Sequence, residues 1–107
     1  PYWVQLLIAG VDADGGHVYS IDSAGGSIPD TYCATGSGSP YMYGVLEDQY
    51  KEDMTRNEAL KVTSRALLAS SQRDSASGNG MDLAVITMKD GFKLLTVAEK
   101  EALLKSI

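Results

Sequence analysis

Trp3-Val4-Gln5-Leu6-Leu7-Ile8-Ala9-Gly10-Val11 is apolar at both odd and even positions. A strand with one wet face alternates apolar and polar side chains, whereas a strand covered on both faces reads as a continuous apolar run. Residues 3–11 are therefore predicted as a strand that needs a covering layer on each side. Leu83-Ala84-Val85-Ile86-Thr87-Met88 has the same character. Whatever fold the chain adopts must bury both faces of these two segments.

Outward from the first segment, Asp12-Ala13-Asp14-Gly15-Gly16 is a turn, and residues 16–21 read as the returning strand of a hairpin with a loop of about five residues. A second turn, Asp22-Ser23-Ala24-Gly25-Gly26, leads to an extended stretch over residues 27–35. Pro29 and Asp30 are expected to loosen its first half, leaving Tyr32-Cys33-Ala34-Thr35 as the paired part. Ser39 is suited to cap a helix and Pro40 to its first position, where a missing N–H costs nothing. Met42, Val45, Leu46 and Tyr50 then share one helical face. Thr55-Arg56-Asn57-Glu58 is a capping box opening a second helix, with Ala59, Val62, Ala66 and Ala69 as a small-residue stripe beside Leu60, Leu67 and Leu68. Lys89-Asp90-Gly91 turns the strand at 83–88 into another at 92–96. A capping box of Thr96 and Glu99 launches a final helix through Ala102, Leu103 and Ile107.

The order is β-β-β-α-α-β-β-α, an α+β arrangement of one antiparallel sheet against helices. Three helices cover only one side of such a sheet. The apolar runs at 3–11 and 83–88 therefore imply a second apolar layer that the chain itself does not contain.

The chain has 107 residues, 44% hydrophobic and 21% charged, which suits a single globular domain. A net charge of -5 without a basic stretch argues against nucleic-acid and anionic-membrane partners. One cysteine, Cys33, rules out an internal disulfide and fits a reducing compartment. No apolar run reaches the ~20 residues of a membrane helix. A cytoplasmic protein is expected. Its start at Pro1, inside an apolar segment, suits a cleaved or truncated piece.

The chemistry-bearing residues are few. His17 and Cys33 are the only histidine and cysteine and lack paired ligand spacing, so no metal site is expected, and no cofactor. Asp12-Ala13-Asp14-Gly15 opens like a calcium loop, but no glutamate follows at the required distance, and it reads as a turn. Gly36-Ser37-Gly38, between strand and helix, could cradle a phosphate on backbone N–H groups. It lacks the third glycine of a dinucleotide site and the lysine of a P-loop, and a capped helix start is the simpler reading. Arg73-Asp74-Ser75-Ala76-Ser77-Gly78 places a carboxylate and two hydroxyls where a helix gives way to a strand. The helix macrodipole opposes a carboxylate there, so Asp74 needs compensation. An Asx-type turn is one answer. The other is a pair, Asp74 and Ser77, that orients a nucleophile or proton carrier from elsewhere.

Taken with Pro1-Tyr2 and Val4-Gln5-Leu6-Leu7, His17-Val18-Tyr19-Ser20-Ile21-Asp22, Ala24-Gly25-Gly26, Thr35-Gly36-Ser37-Gly38-Ser39-Pro40 and Tyr43-Gly44-Val45-Leu46-Glu47, this segment makes the chain resemble the β-subunit of the 20S proteasome, particularly the archaeal type, over nearly its whole length. The resemblance implies an N-terminal-nucleophile hydrolase fold, a four-layer αββα sandwich with two antiparallel sheets between helix layers. Residues 1–107 correspond to the C-terminal part of its single domain. It also implies a threonine-type endopeptidase that degrades unfolded polypeptides within stacked rings of α- and β-subunits. The nucleophile, the hydroxyl of an N-terminal threonine, belongs to the other half, and Pro1 has no hydroxyl to replace it.

The family roles that carry over are supporting ones. Asp74 and Ser77 would hold the threonine amine and hydroxyl in geometry, with Ser37 close to the same network. Asp22 would contact substrate across a subunit interface. The chain alone is expected to be inactive. A noncatalytic ring-forming subunit is the structural alternative, and a phosphate-ligand binding module at residues 36–39 is an unrelated one.

Overall fold

The computed structural model describes residues 6–21, 26–36, 38–70 and 81–107. Its elements run β1 (Leu6–Asp12), β2 (Gly15–Ile21), β3 (Ser27–Asp30), α1 (Ser39–Gln49), α2 (Arg56–Ser70), β4 (Ala84–Thr87), β5 (Gly91–Leu94) and α3 (Val97–Lys105), in the predicted order.

The β1–β2 hairpin is tighter than expected. Its ladder continues to Asp12 opposite Gly15, leaving Ala13 and Asp14 as a two-residue connection. Asp12 Oδ1 accepts the Asp14 N–H at 2.8 Å, and the left-handed backbone falls on Gly15, with φ of 122°. A turn held by an aspartate side chain and closed by glycine needs no longer loop.

Strand β3 departs further from expectation. Residues 27–30 pair with β2, and Pro29 sits opposite Tyr19. Residues 31–35 form no strand. Proline is tolerated because β3 lies at the edge of the β1-β2-β3 sheet, where no outer ladder asks for its N–H. Beyond Asp30 the chain turns to α1. The Ala34 N–H donates to the Tyr43 hydroxyl at 3.0 Å, and the Tyr32 ring packs 5.2 Å from that of Tyr50.

The described strands form two sheets, where the residue pattern by itself suggests one. The second is the β4–β5 hairpin, and β1 approaches β4 without a hydrogen-bonded ladder among the described residues. The helices form one layer with α2 at its centre. Arg65 Nη1 on α2 donates to Gln49 Oε1 on α1 at 2.9 Å, and α2 also contacts α3. Val62 and Ala66 of α2 are buried together with Leu83 and Leu103, whereas Ala59 is exposed. Ser64 is buried on α2 as well, its hydroxyl unpartnered among the described residues.

Both capped helices begin where the sequence places them. Thr96 Oγ1 accepts the Glu99 N–H, and the Glu99 carboxylate accepts the Thr96 N–H at 2.9 Å. At α2, Thr55 Oγ1 accepts the Glu58 N–H at 3.1 Å, but Glu58 reaches the Thr55 hydroxyl instead of its backbone. Helix α1 is capped at Gly38 with Ser39 already helical, so Ser39 is not its cap.

Leu7 and Val18 face a cleft with α1 and α2. Strand alternation turns Leu6 and Ile8 the other way, together with their partners Ile21 and Tyr19. That far face is open: Leu6 is 54% and Ile8 55% exposed. In the second sheet, Val85 lies in a crevice with Leu60 of α2, and Ile86 with its partner Phe92 points away from it. Phe92 is 65% exposed and Leu94, opposite Ala84, is also exposed. Each sheet thus turns one face toward the helices, where Leu7 is still 42% exposed, and leaves an apolar face open on the other side; residues 3–5 of the predicted first strand lie outside the described residues.

Candidate functional site

The four residues singled out from the sequence, Asp22, Ser37, Asp74 and Ser77, all lie outside the described residues. Their flanks are described. Gly36 adopts φ of 100°, a conformation glycine reaches without steric cost, and its carbonyl accepts the Ser39 N–H at 3.1 Å. Gly38 caps α1 and rests directly on the end of α2: a Cβ added there would stand 2.6 Å from Ser70 Cβ. Only glycine allows this approach. Gly38, which follows Ser37, therefore sits beside the end of α2, after which the sequence runs on into residues 71–80, where Asp74 and Ser77 fall.

At the far end of that segment, Met81 is tied down. Its carbonyl accepts a hydrogen bond from Lys100 Nζ on α3 at 2.8 Å. Ile21, which precedes Asp22 in the sequence, pairs with Leu6 and Ser27 at the end of the sheet away from the Ala13-Asp14 turn.

The phosphate-cradle reading of residues 36–39 meets an obstacle in the same geometry. The Ser39 N–H is already spent on the Gly36 carbonyl, and Gly38 is packed against Ser70. Nor does Asp12-Ala13-Asp14-Gly15 form a calcium loop. Asp12 Oδ1 is occupied by the Asp14 N–H and by His17 Nε2, each at 2.8 Å. The His17 hydrogen bond, more than that of the Asp14 N–H, holds the Asp12 carboxyl below its ordinary value. Among the described residues, no group of three or more His, Cys, Asp or Glu is disposed to hold a metal ion.

A cleft of about 660 Å³ opens between the three-stranded sheet and α1 and α2, lined by Leu7, Cys33, Met42, Leu46 and Val62 among others. The Cys33 thiol is pushed up by burial and secondarily by the negative charge of Asp30, which keeps it protonated and a poor nucleophile. The cleft reads as the seam between sheet and helices.

Sequence reasoning missed two residues here. Gly38 was readable only as part of a glycine-rich turn, because its contact with Ser70 spans 32 positions. Lys100 gave no signal beyond being a lysine on an amphipathic helix. No described helix is long and apolar enough to cross a membrane.

A family model described as "Proteasome subunit" matches residues 1–86. The protein called "Proteasome subunit beta" in Thermoplasma acidophilum is 52% identical over 107 residues, all of this chain and 50% of the relative. Proteins of the same description from Methanobrevibacter ruminantium and Methanosarcina barkeri are 51% and 52% identical, again over all of this chain and 51% of each relative. The chain spans about half the length of the curated relatives it matches.

Proposed function

The chain belongs to the proteasome subunit family, and on that footing we propose that it is part of a threonine-type endopeptidase β-subunit that degrades unfolded polypeptides. The observation that carries the reading is the contact of Gly38 with Ser70. It brings Gly38, next to Ser37 in the sequence, against Ser70, the last residue of α2, four positions before Asp74, and so supports a shared site.

In this reading the chain supplies orientation. The Asp74 carboxylate and Ser77 hydroxyl hold the amine and hydroxyl of an N-terminal threonine in attacking geometry, and Ser37 belongs to the same network. The threonine hydroxyl attacks the peptide carbonyl while its proton passes to a nearby amine. Asp22 contacts the substrate bound at a neighbouring subunit. Threonine and amine both come from the part of the subunit beyond this chain.

The uncovered apolar faces supply a second support. Leu6 and Ile8 on β1 and Phe92 and Leu94 on β5 are too exposed for sheets that work without a further layer. The remainder of the subunit covers them, completing a four-layer αββα sandwich. The partners are other β-subunits and α-subunits in stacked rings, and the setting is cytoplasmic.

Kinetics of the complete, assembled subunit test this reading. Asp74→Asn and Ser77→Ala should each lower kcat for a fluorogenic peptide, on the order of a hundredfold for lost orientation, with KM little changed. Assembled particles of both variants that cleave at the unaltered rate would overturn it. A parent reading frame lacking a threonine at a processing junction would instead assign the chain to a structural ring subunit.

A further inference from the structure

Met54 lies in the connection between α1 and α2, and its sulfur closes a turn there. Sδ accepts the Lys51 N–H at 3.3 Å, a bond at the protein surface. Within that turn Asp53 takes φ of 60°, a left-handed value that aspartate tolerates better than most side chains. A thioether is a weak acceptor, so the turn is held lightly. The Met54 side chain also borders both apolar and wet surroundings. It lines the 660 Å³ cleft with Leu46 and Val62, and it lines a surface crevice of about 280 Å³ with Lys61 and Arg65.

Oxidation of a thioether to a sulfoxide turns an apolar side chain into a polar one. At Met54 it would also abolish the bond to Lys51. With nitrogen and sulfur only 3.3 Å apart, no oxygen fits between them. If another lone pair takes the oxygen, the sulfur becomes the positive end of the S–O dipole and no longer attracts an N–H donor. Either way the turn opens. Met88 provides the contrast: it is 67% exposed next to the end of β4, so its oxidation alters a side chain already in water.

We propose that Met54 is an oxidation site that acts as a redox-sensitive fastener of the α1–α2 connection. The oxidant is a peroxide. A sulfur lone pair takes one oxygen from hydrogen peroxide, the O–O bond breaks, and the other oxygen leaves as water, so that sulfur is oxidised and peroxide reduced. A methionine sulfoxide reductase reverses the step. Once oxidised, the connection loses the Lys51 contact while the Arg65 to Gln49 bond still ties α2 to α1. The helix pair loosens without coming apart. None of this depends on the roles proposed for Asp74 and Ser77.

The test treats the complete subunit with dilute hydrogen peroxide and follows each methionine by peptide mass spectrometry. Met88 should gain an oxygen first and Met54 after it. The thermal midpoint should hold while Met88 reacts and fall by about 5 °C as Met54 does, with faster amide exchange over residues 50–55. Treatment with the sulfoxide reductase should restore both. Met54→Leu keeps the side-chain volume and removes the sulfur, so its midpoint should be insensitive to peroxide, whereas that of Met88→Leu should still fall. Should Met54→Leu not fold, the wild-type series and its reversal by the reductase decide alone. A folded protein in which Met54 stays reduced after Met88 is fully oxidised would overturn the proposal. So would Met54 sulfoxide with an unchanged midpoint and unchanged exchange, or a Met54→Leu protein that loses as much stability under peroxide as the wild type.

Discussion

Ile8 on β1 and Tyr19 on β2 stand directly opposite each other in the ladder, on the sheet face turned away from α1 and α2, and both are exposed. Aromatic and β-branched partners of this kind stabilise a sheet by packing across strands and against a covering layer. With nothing over them they form the centre of an adhesive surface. The chain on its own should therefore self-associate, seen as concentration-dependent sedimentation or light scattering. Ile8→Lys should suppress that association. Because Ile8 is a surface residue here, its unfolding free energy should shift by no more than about 0.5 kcal/mol. Association that Ile8→Lys leaves intact would place the sticky surface elsewhere.

Gly38→Ala tests the meeting of α1 with the end of α2. The added methyl would stand 2.6 Å from Ser70 Cβ and 3.2 Å from Ser70 Cα. Backbone must move to admit it, at a cost of about 1–3 kcal/mol. Denaturant titration should show that loss, and Gly38→Ala/Ser70→Gly should recover part of it. A neutral Gly38→Ala would mean that the two helix ends are not in contact.

The capping box of α3 is complete, with Thr96 and Glu99 each accepting the other's backbone N–H. Thr96→Ala should destabilise by about 1 kcal/mol in the same titration. The Glu99 carboxyl is held below its ordinary value, first by the Thr96 N–H and then by the Thr96 hydroxyl. A depressed folded-state pKa stabilises above the unfolded value and ceases to do so as pH falls through the folded one. The Thr96→Ala penalty should accordingly be largest near neutrality and shrink in acid.

Asp12 gives a second acid-side prediction. His17 Nε2 and the Asp14 N–H both bind its Oδ1, and the carboxyl is depressed, so its contribution is present above the ordinary aspartate value near 4 and lost below it. Asp12→Asn should weaken the decline of stability between about pH 5 and pH 2. An unchanged acid profile would show that the hairpin turn gains nothing from the carboxylate.

Much of this organisation was legible in the sequence because its signals are local. Residues 83–88 announce a doubly apolar strand, Thr96 and Glu99 mark a helix start, and Asp12 to Gly15 supply turn chemistry. Each is decided by neighbours within a few positions. The failures share the opposite cause. The pairing of residues 27–30 in place of 32–35 depends on an edge position that accommodates Pro29 and on the reach of Tyr43 to Ala34. The division into two sheets depends on how β1 meets β4. Gly38 against Ser70 and Lys100 against Met81 are contacts between distant positions that no periodicity encodes. For the site, residue identity and family resemblance pointed to Asp22, Ser37, Asp74 and Ser77, while the contacts that flank them came only from the fold.

The central claim is that this chain orients a nucleophile it does not carry. Hydrolysis of a fluorogenic peptide, measured for the chain alone and after refolding with a polypeptide supplying the threonine-bearing half, tests it most directly. The account predicts no turnover by the chain alone and turnover on reconstitution, blocked by an inhibitor that reacts with the N-terminal threonine. Threonine-protease turnover by the isolated 107 residues, blocked by the same inhibitor, would contradict it.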